Sequence, residues 1–73
     1  MAKPAFKAGV YRHYKGNEYQ AIDVVQHSET EDWLVLYRPL YGQSHLWVRP
    51  YTMFNEPVEV DGQRVPRFSF VRT

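Results

Sequence analysis

The sequence has no cysteine, which excludes disulfides, iron–sulfur ligation and thiolate zinc sites and leaves a fold that must stand on its own core. It has four glycines, and they are scattered, so no Gly-rich loop is available to cradle phosphates and nucleotide hydrolysis is set aside. It has almost no charge surplus: nine Lys and Arg against eight Asp and Glu leave a net charge of +1, and the sum implies no strongly basic or acidic partner. No apolar run approaches the ~20 residues of a membrane span, and Met1-Ala2-Lys3-Pro4-Ala5-Phe6-Lys7 lacks the apolar centre of a signal peptide. The expectation is a soluble, non-exported chain with no membrane partner, in a reducing cytoplasm. No segment places apolar residues at helical spacing.

What the chain does have is 44% hydrophobic and 16% aromatic content in 73 residues, enough for one small globular unit and too much for a disordered one. We expect a flexible lead-in over residues 1–8, where Pro4 and alanines flank a lone aromatic, and a single β domain over 9–73. A domain of this size hides only about 60% of the surface its unfolded chain exposes, so it is modestly stable or shares apolar surface with another chain. It has little room for a deep catalytic cleft. Charge comes in alternating blocks: Lys3, Lys7, Arg12 and Lys15, then Glu18, Asp23, Glu29, Glu31 and Asp32, then Arg38 and Arg49, then Glu56, Glu59 and Asp61, then Arg64, Arg67 and Arg72. Such blocks point to neighbouring strands that neutralise one another, with a polarised surface as the other reading.

From Gly9 onward, β-branched and aromatic residues alternate with turn signals. A two-residue loop at Gly16-Asn17 would set Lys15 opposite Glu18, Tyr14 opposite Tyr19 and Tyr11 opposite Ile22, with Ile22 and Val24 facing the core. Trp33 to Tyr37 is the most continuously apolar strand, is expected to be central, and stops at Pro39. A strand over His45 to Arg49 follows the Tyr41-Gly42-Gln43 turn, and Pro50 opens one helical turn over Tyr51 to Phe54. Asp61-Gly62 predicts a second hairpin with Val60 opposite Gln63, Glu59 opposite Arg64 and Val58 opposite Val65. Its flanking prolines, Pro57 and Pro66, argue for an edge. Phe68 and Phe70, two apart, should share a face. The predicted fold is all-β: a strongly bent antiparallel sheet or partly open barrel of five to six short strands with one helical turn near residues 50–54. An open meander dimerising through one face is the alternative.

Tyr11-Arg12-His13-Tyr14-Lys15-Gly16, His27-Ser28-Glu29-Thr30, Leu40-Tyr41-Gly42, Trp47-Val48-Arg49-Pro50, Met53-Phe54, Val60-Asp61-Gly62 and Pro66-Arg67-Phe68, in this order, make the chain resemble the bacterial domain of unknown function 1653 family from Gly9 to Phe70. The resemblance implies a small SH3-like β-barrel in a bacterial cytoplasmic protein. It implies no activity and carries over no catalytic residue.

His27-Ser28-Glu29 contains the residue types of a hydrolase triad, but neighbours on a strand point to opposite faces, so Ser28 cannot meet His27. His27 and Glu29 with His13 or His45 could ligate a metal; alternatively they satisfy the backbone of a tight turn. Nothing in the spacing demands a metal, and no metal site or cofactor is expected. Arginine beside an aromatic recurs at Tyr11-Arg12-His13-Tyr14, Tyr37-Arg38, Trp47-Val48-Arg49 and Arg67-Phe68. Such pairs form either an internal scaffold or a ligand platform. Twelve aromatics exceed what so small a core encloses, which leaves rings for a partner. The expectation is a non-enzymatic binding module using Arg12, Tyr14, His27, Glu29, Arg38, Tyr41, Trp47 and Arg49, with a protein or peptide partner ahead of single-stranded nucleic acid. A structural homodimer is the competing reading.

Overall fold

The computed structural model describes residues 2–73; residue 1 of the expected lead-in lies outside them. Seven strands form two antiparallel sheets: β1 (Gly9–His13), β2 (Glu18–Gln26), β3 (Trp33–Pro39), β4 (Trp47–Pro50), β5 (Pro57–Val60), β6 (Gln63–Pro66) and β7 (Phe68–Arg72), with a one-turn helix α1 (Tyr51–Phe54) after β4. Among the described residues the larger sheet has the order β4-β3-β2-β1-β7 and does not close into a barrel, and β5 and β6 pair only with each other. The strand richest in apolar residues, β3, is paired on both sides, while the middle position belongs to β2.

The first hairpin departs from the sequence expectation. Arg12 lies opposite Glu18 and Tyr11 opposite Tyr19, a register three residues away from a Gly16-Asn17 loop. The connection runs from Tyr14 to Asn17 instead: the His13 N–H donates to the Asn17 carbonyl at 2.7 Å, and the Gly16 N–H to the His13 carbonyl at 2.7 Å. An odd shift exchanges the faces. Tyr19 and Ala21 therefore point inward, Ala21 with no exposed surface, while Ile22 is 38% exposed. A bulge between Ala21 and Asp23 then turns Val24 inward as well, so Val24 is core as expected and Ile22 is not. The wider turn gains the Arg12–Glu18 ion pair and seats Tyr11 against Phe54, 5.4 Å between ring centres.

The second hairpin has the expected register throughout, from Pro57 opposite Pro66 to Val60 opposite Gln63. Asp61 and Gly62 both hold positive φ (50° and 78°), the turn geometry that matches strand twist. Pro50 caps α1 from just outside it, and the Asn55 N–H and side-chain amide close the turn on the Tyr51 carbonyl.

That single turn inserts Phe54 beneath the sheet. Its ring stacks on Phe68 at 4.2 Å, almost parallel, among Ala21, Val24, Val35 and Tyr37. Phe68 and Phe70 share a face: Phe68 is buried, and Phe70 meets Tyr11 at the rim. Residues 2–8 form no strand or helix, yet they lie against this core. Phe6 stacks on Tyr11, the Tyr51 hydroxyl donates to the Ala5 carbonyl, and Lys3 reaches Asp23 at 3.1 Å.

Candidate functional site

On a strand, adjacent residues face opposite ways and residues two apart share a face, and this decides which arginine–aromatic neighbours meet. Val35 and Tyr37 of β3 point inward, and the register sets Arg49 across from Val35 and Trp47 across from Tyr37. Trp47 and Arg49, two apart, therefore flank the same inner face. Arg38, next to Tyr37, is on the opposite face, exposed and without an ion pair among the described residues.

Around Arg49 the rings form a connected set. Its Nε–H donates to the Tyr37 hydroxyl at 3.4 Å, and its guanidinium carbon lies 5.6 Å from the centre of the Phe68 ring. Phe68 touches His13, Tyr19 and Tyr37 edge-on at 5.0, 5.6 and 6.1 Å. Tyr19 meets Tyr41, their hydroxyls 3.1 Å apart in one hydrogen bond. Tyr14 leans on His13 at 4.5 Å. At the open rim, Trp47 is 59% and Tyr41 50% exposed.

The electrostatics follow from this crowding. The hydrogen bond to Tyr41, then burial and the neighbouring phenols, push the Tyr19 hydroxyl up to about 12, so it stays protonated. Burial first, and then the charges of Arg49, Lys15 and Arg67, lower the His13 pKa. Arg49, Lys15 and Arg67 each disfavour the charged form of this imidazole. Glu56 answers Arg67 at 3.2 Å, but no carboxylate among the described residues pairs with Arg49.

The other sequence candidates lie apart from this face. Arg12 is bound to Glu18 at 2.9 Å, and Glu18 also takes Arg72 at 3.7 Å. His27 stands beyond the far end of β2, where its Nδ1 accepts the backbone N–H groups of Glu29 and Thr30 at 3.1 and 3.2 Å. That imidazole organises the β2–β3 turn, and β2 separates it from His13. Among the described residues no three metal-ligating side chains gather, and no helix is long and apolar enough to cross a membrane. A cleft of about 600 Å3 opens between residues 2–4, the β2–β3 turn and α1, lined by Trp33, Leu34, Tyr51, Glu31 and Asp32, and holds none of the candidates. Of the candidates taken from the sequence, Trp47 and Arg49 lie two apart on β4, Tyr14 packs on His13 and Tyr41 on Tyr19, both rings in contact with Phe68. Tyr37, Phe68 and His13 enter the sequence reading as companions of arginines, and His13 also as a metal candidate, but none of the three is named there as a site residue; the spacing of two in Trp47-Val48-Arg49 is the signal that points to this face.

Comparison with known proteins is sharp in family and silent on activity. The family described as "Protein of unknown function (DUF1653)" matches residues 9–70. A crystal structure of a DUF1653 protein from Bordetella bronchiseptica is 36% identical, with a TM-score of 0.86, covering 97% of this chain and 94% of that one. No curated protein matches the chain.

Proposed function

The chain belongs to the DUF1653 family, and from that premise we propose a non-catalytic binding module that takes an extended segment of a protein partner along β4, beside the aromatic and arginine face. The observation that carries this reading is the state of β4. It is an edge strand with one free side, and Leu46, Trp47 and Val48 stand 58%, 59% and 52% exposed on it and just before it. An open edge supplies backbone hydrogen bonds to an added strand, and the neighbouring side chains supply selectivity. Trp47 and Arg49 are the residues types that dominate the energetics of such contacts. The absence of cysteine suits a bacterial cytoplasmic setting.

Single-stranded nucleic acid is the second reading, because exposed Tyr14 lies 5.9 Å from the Lys15 ammonium and exposed Trp47 stands two residues from Arg49, rings beside cations as in base-stacking surfaces. A net charge of +1 and one compact cationic cluster favour the peptide. The test is a backbone amide NMR titration with a pool of acetylated octapeptides and, separately, pools of short single-stranded DNA and RNA at low and moderate salt. Shifts along β4 with the peptides support the proposal. Salt-sensitive shifts with the oligonucleotides alone transfer the face to nucleic acid, and dimers in sedimentation with neither ligand bound assign it to a second copy.

A further inference from the structure

We infer that the aromatic face contains a carboxylate subsite centred on Arg49, so that an acidic group anchors the bound segment; this rests on the peptide-binding reading above. Arg49 is half-buried and, among the described residues, spends only its Nε–H, on the Tyr37 hydroxyl. Its two terminal amino groups donate no hydrogen bond to any described residue, although a guanidinium presents five N–H donors in a fixed fork. Phe68 beneath and Tyr37 beside it hold that fork in place, so little freedom is left to lose when an oxyanion arrives.

The surroundings want the same charge. Arg67 and Lys15 act on His13 together with Arg49, and the Arg67 Nε is buried without a hydrogen-bond partner. Glu18 is committed to Arg12 and Arg72 and Asp23 to Lys3, away from this cluster, and Glu56 answers the outer end of Arg67 within it but does not pair with Arg49. Arg12, Arg67 and Arg72 show how the fold treats a guanidinium that it neutralises internally. Arg49 is arranged differently, with its stem fixed by rings and its donors free. A carboxylate binds such a fork through two parallel hydrogen bonds, and low-dielectric walls of Phe68, Tyr37 and Tyr19 strengthen them. The carboxylate can belong to an Asp or Glu side chain or to a chain terminus.

The experiment uses the whole protein with labelled arginine side chains. Sodium acetate is titrated against sodium chloride at equal ionic strength, reading the Arg49 Nε–H and the His13 ring. A saturable shift with acetate alone, and a His13 pKa that rises on binding, is the expected result; identical responses to both salts overturn the subsite. Three acetylated hexapeptides then follow: Glu-containing and amidated, Gln-containing and amidated, and Gln-containing with a free C-terminus. The Glu peptide should bind at least about tenfold tighter than its Gln counterpart, and the third peptide shows whether a terminal carboxylate substitutes. Arg49→Gln should erase the difference, and Arg49→Lys, which keeps charge but loses the fork, should recover only part of it. Acetate binding without any peptide binding keeps the subsite and removes the extended-segment reading. Equal binding of the Glu and Gln peptides by the unaltered protein keeps that reading and overturns the carboxylate anchor.

Discussion

The two edges of the five-stranded sheet are finished to different degrees. At β7, Phe68 is buried, Phe70 lies under the Lys7 ammonium at 4.2 Å and against Tyr11, Arg72 is paired with Glu18, and a register shift interrupts the ladder to β1. At β4, Trp47 and Val48 are open to solvent and Arg49 pairs with no acid among the described residues. Edges of this second kind invite another strand, and chains usually blunt them with charge, proline or a bulge. Here β4 carries Arg49 and ends at Pro50, and Trp47 and Val48 are left open. Both strands are edges, but β7 is braced by rings and an ion pair of its own chain, whereas β4 presents exposed apolar side chains, the feature on which the proposed docking of a peptide rests.

Removing the plug beneath both edges should have the largest effect. Phe54→Ala deletes a fully buried ring stacked on Phe68, at a cost of about 3–5 kcal/mol, measured by urea unfolding. At the finished edge, Gly9 holds φ +152°, and a Cβ there would lie 2.6 Å from the Arg72 carbonyl oxygen and 2.8 Å from the Phe70 ring. Gly9→Ala should therefore cost about 2 kcal/mol or more in the same assay, because backbone rather than a pliable side-chain tip must give way.

A pH effect sharpens the comparison at the other side. His13 titrates lower in the folded protein than in the unfolded chain. Its contribution is fully present above the unfolded value of about 6.5; as pH falls below that value the unfolded state takes the proton first, and stability declines until the folded pKa is reached. Thermal unfolding from pH 7 to 5 should show a shallower decline for His13→Gln than for the unaltered protein. The smallest stability changes belong to exposed positions. Trp47→Ala should stay within about 0.5 kcal/mol and yet abolish peptide-induced shifts. Arg12→Ala, which breaks an exposed ion pair, should change stability by about 0.5 kcal/mol or less and leave ligand shifts intact.

Legibility in the sequence followed how local each determinant was. Asp61-Gly62 encodes its turn in two residues, and the register of β5 and β6 was readable in full. Gly16-Asn17 carries a similar signal, but the longer turn that lets Tyr11 sit on Phe54 wins, a contact between residues 43 positions apart that no local pattern displays. The bulge at Ala21/Asp23 is hidden for the same reason: it reconciles two inward runs of β2, and only the packed core says where the second begins. The helical turn, the breaks at Pro39 and Pro50 and the strand content were visible from composition and proline placement. For the candidate site, adjacency misled and spacing informed. Arg12 and Arg38 sit beside aromatics and belong elsewhere, whereas Trp47 and Arg49, two apart, share the face.

The most direct test of an edge completed by a partner is residue-resolved amide hydrogen exchange with and without the octapeptide pool. If a partner strand completes that edge, amides of β4 facing away from β3 slow when peptide is added, while those of β7 exchange at unchanged rates. Slowing at β7, or β4 amides indifferent to peptide, would contradict it.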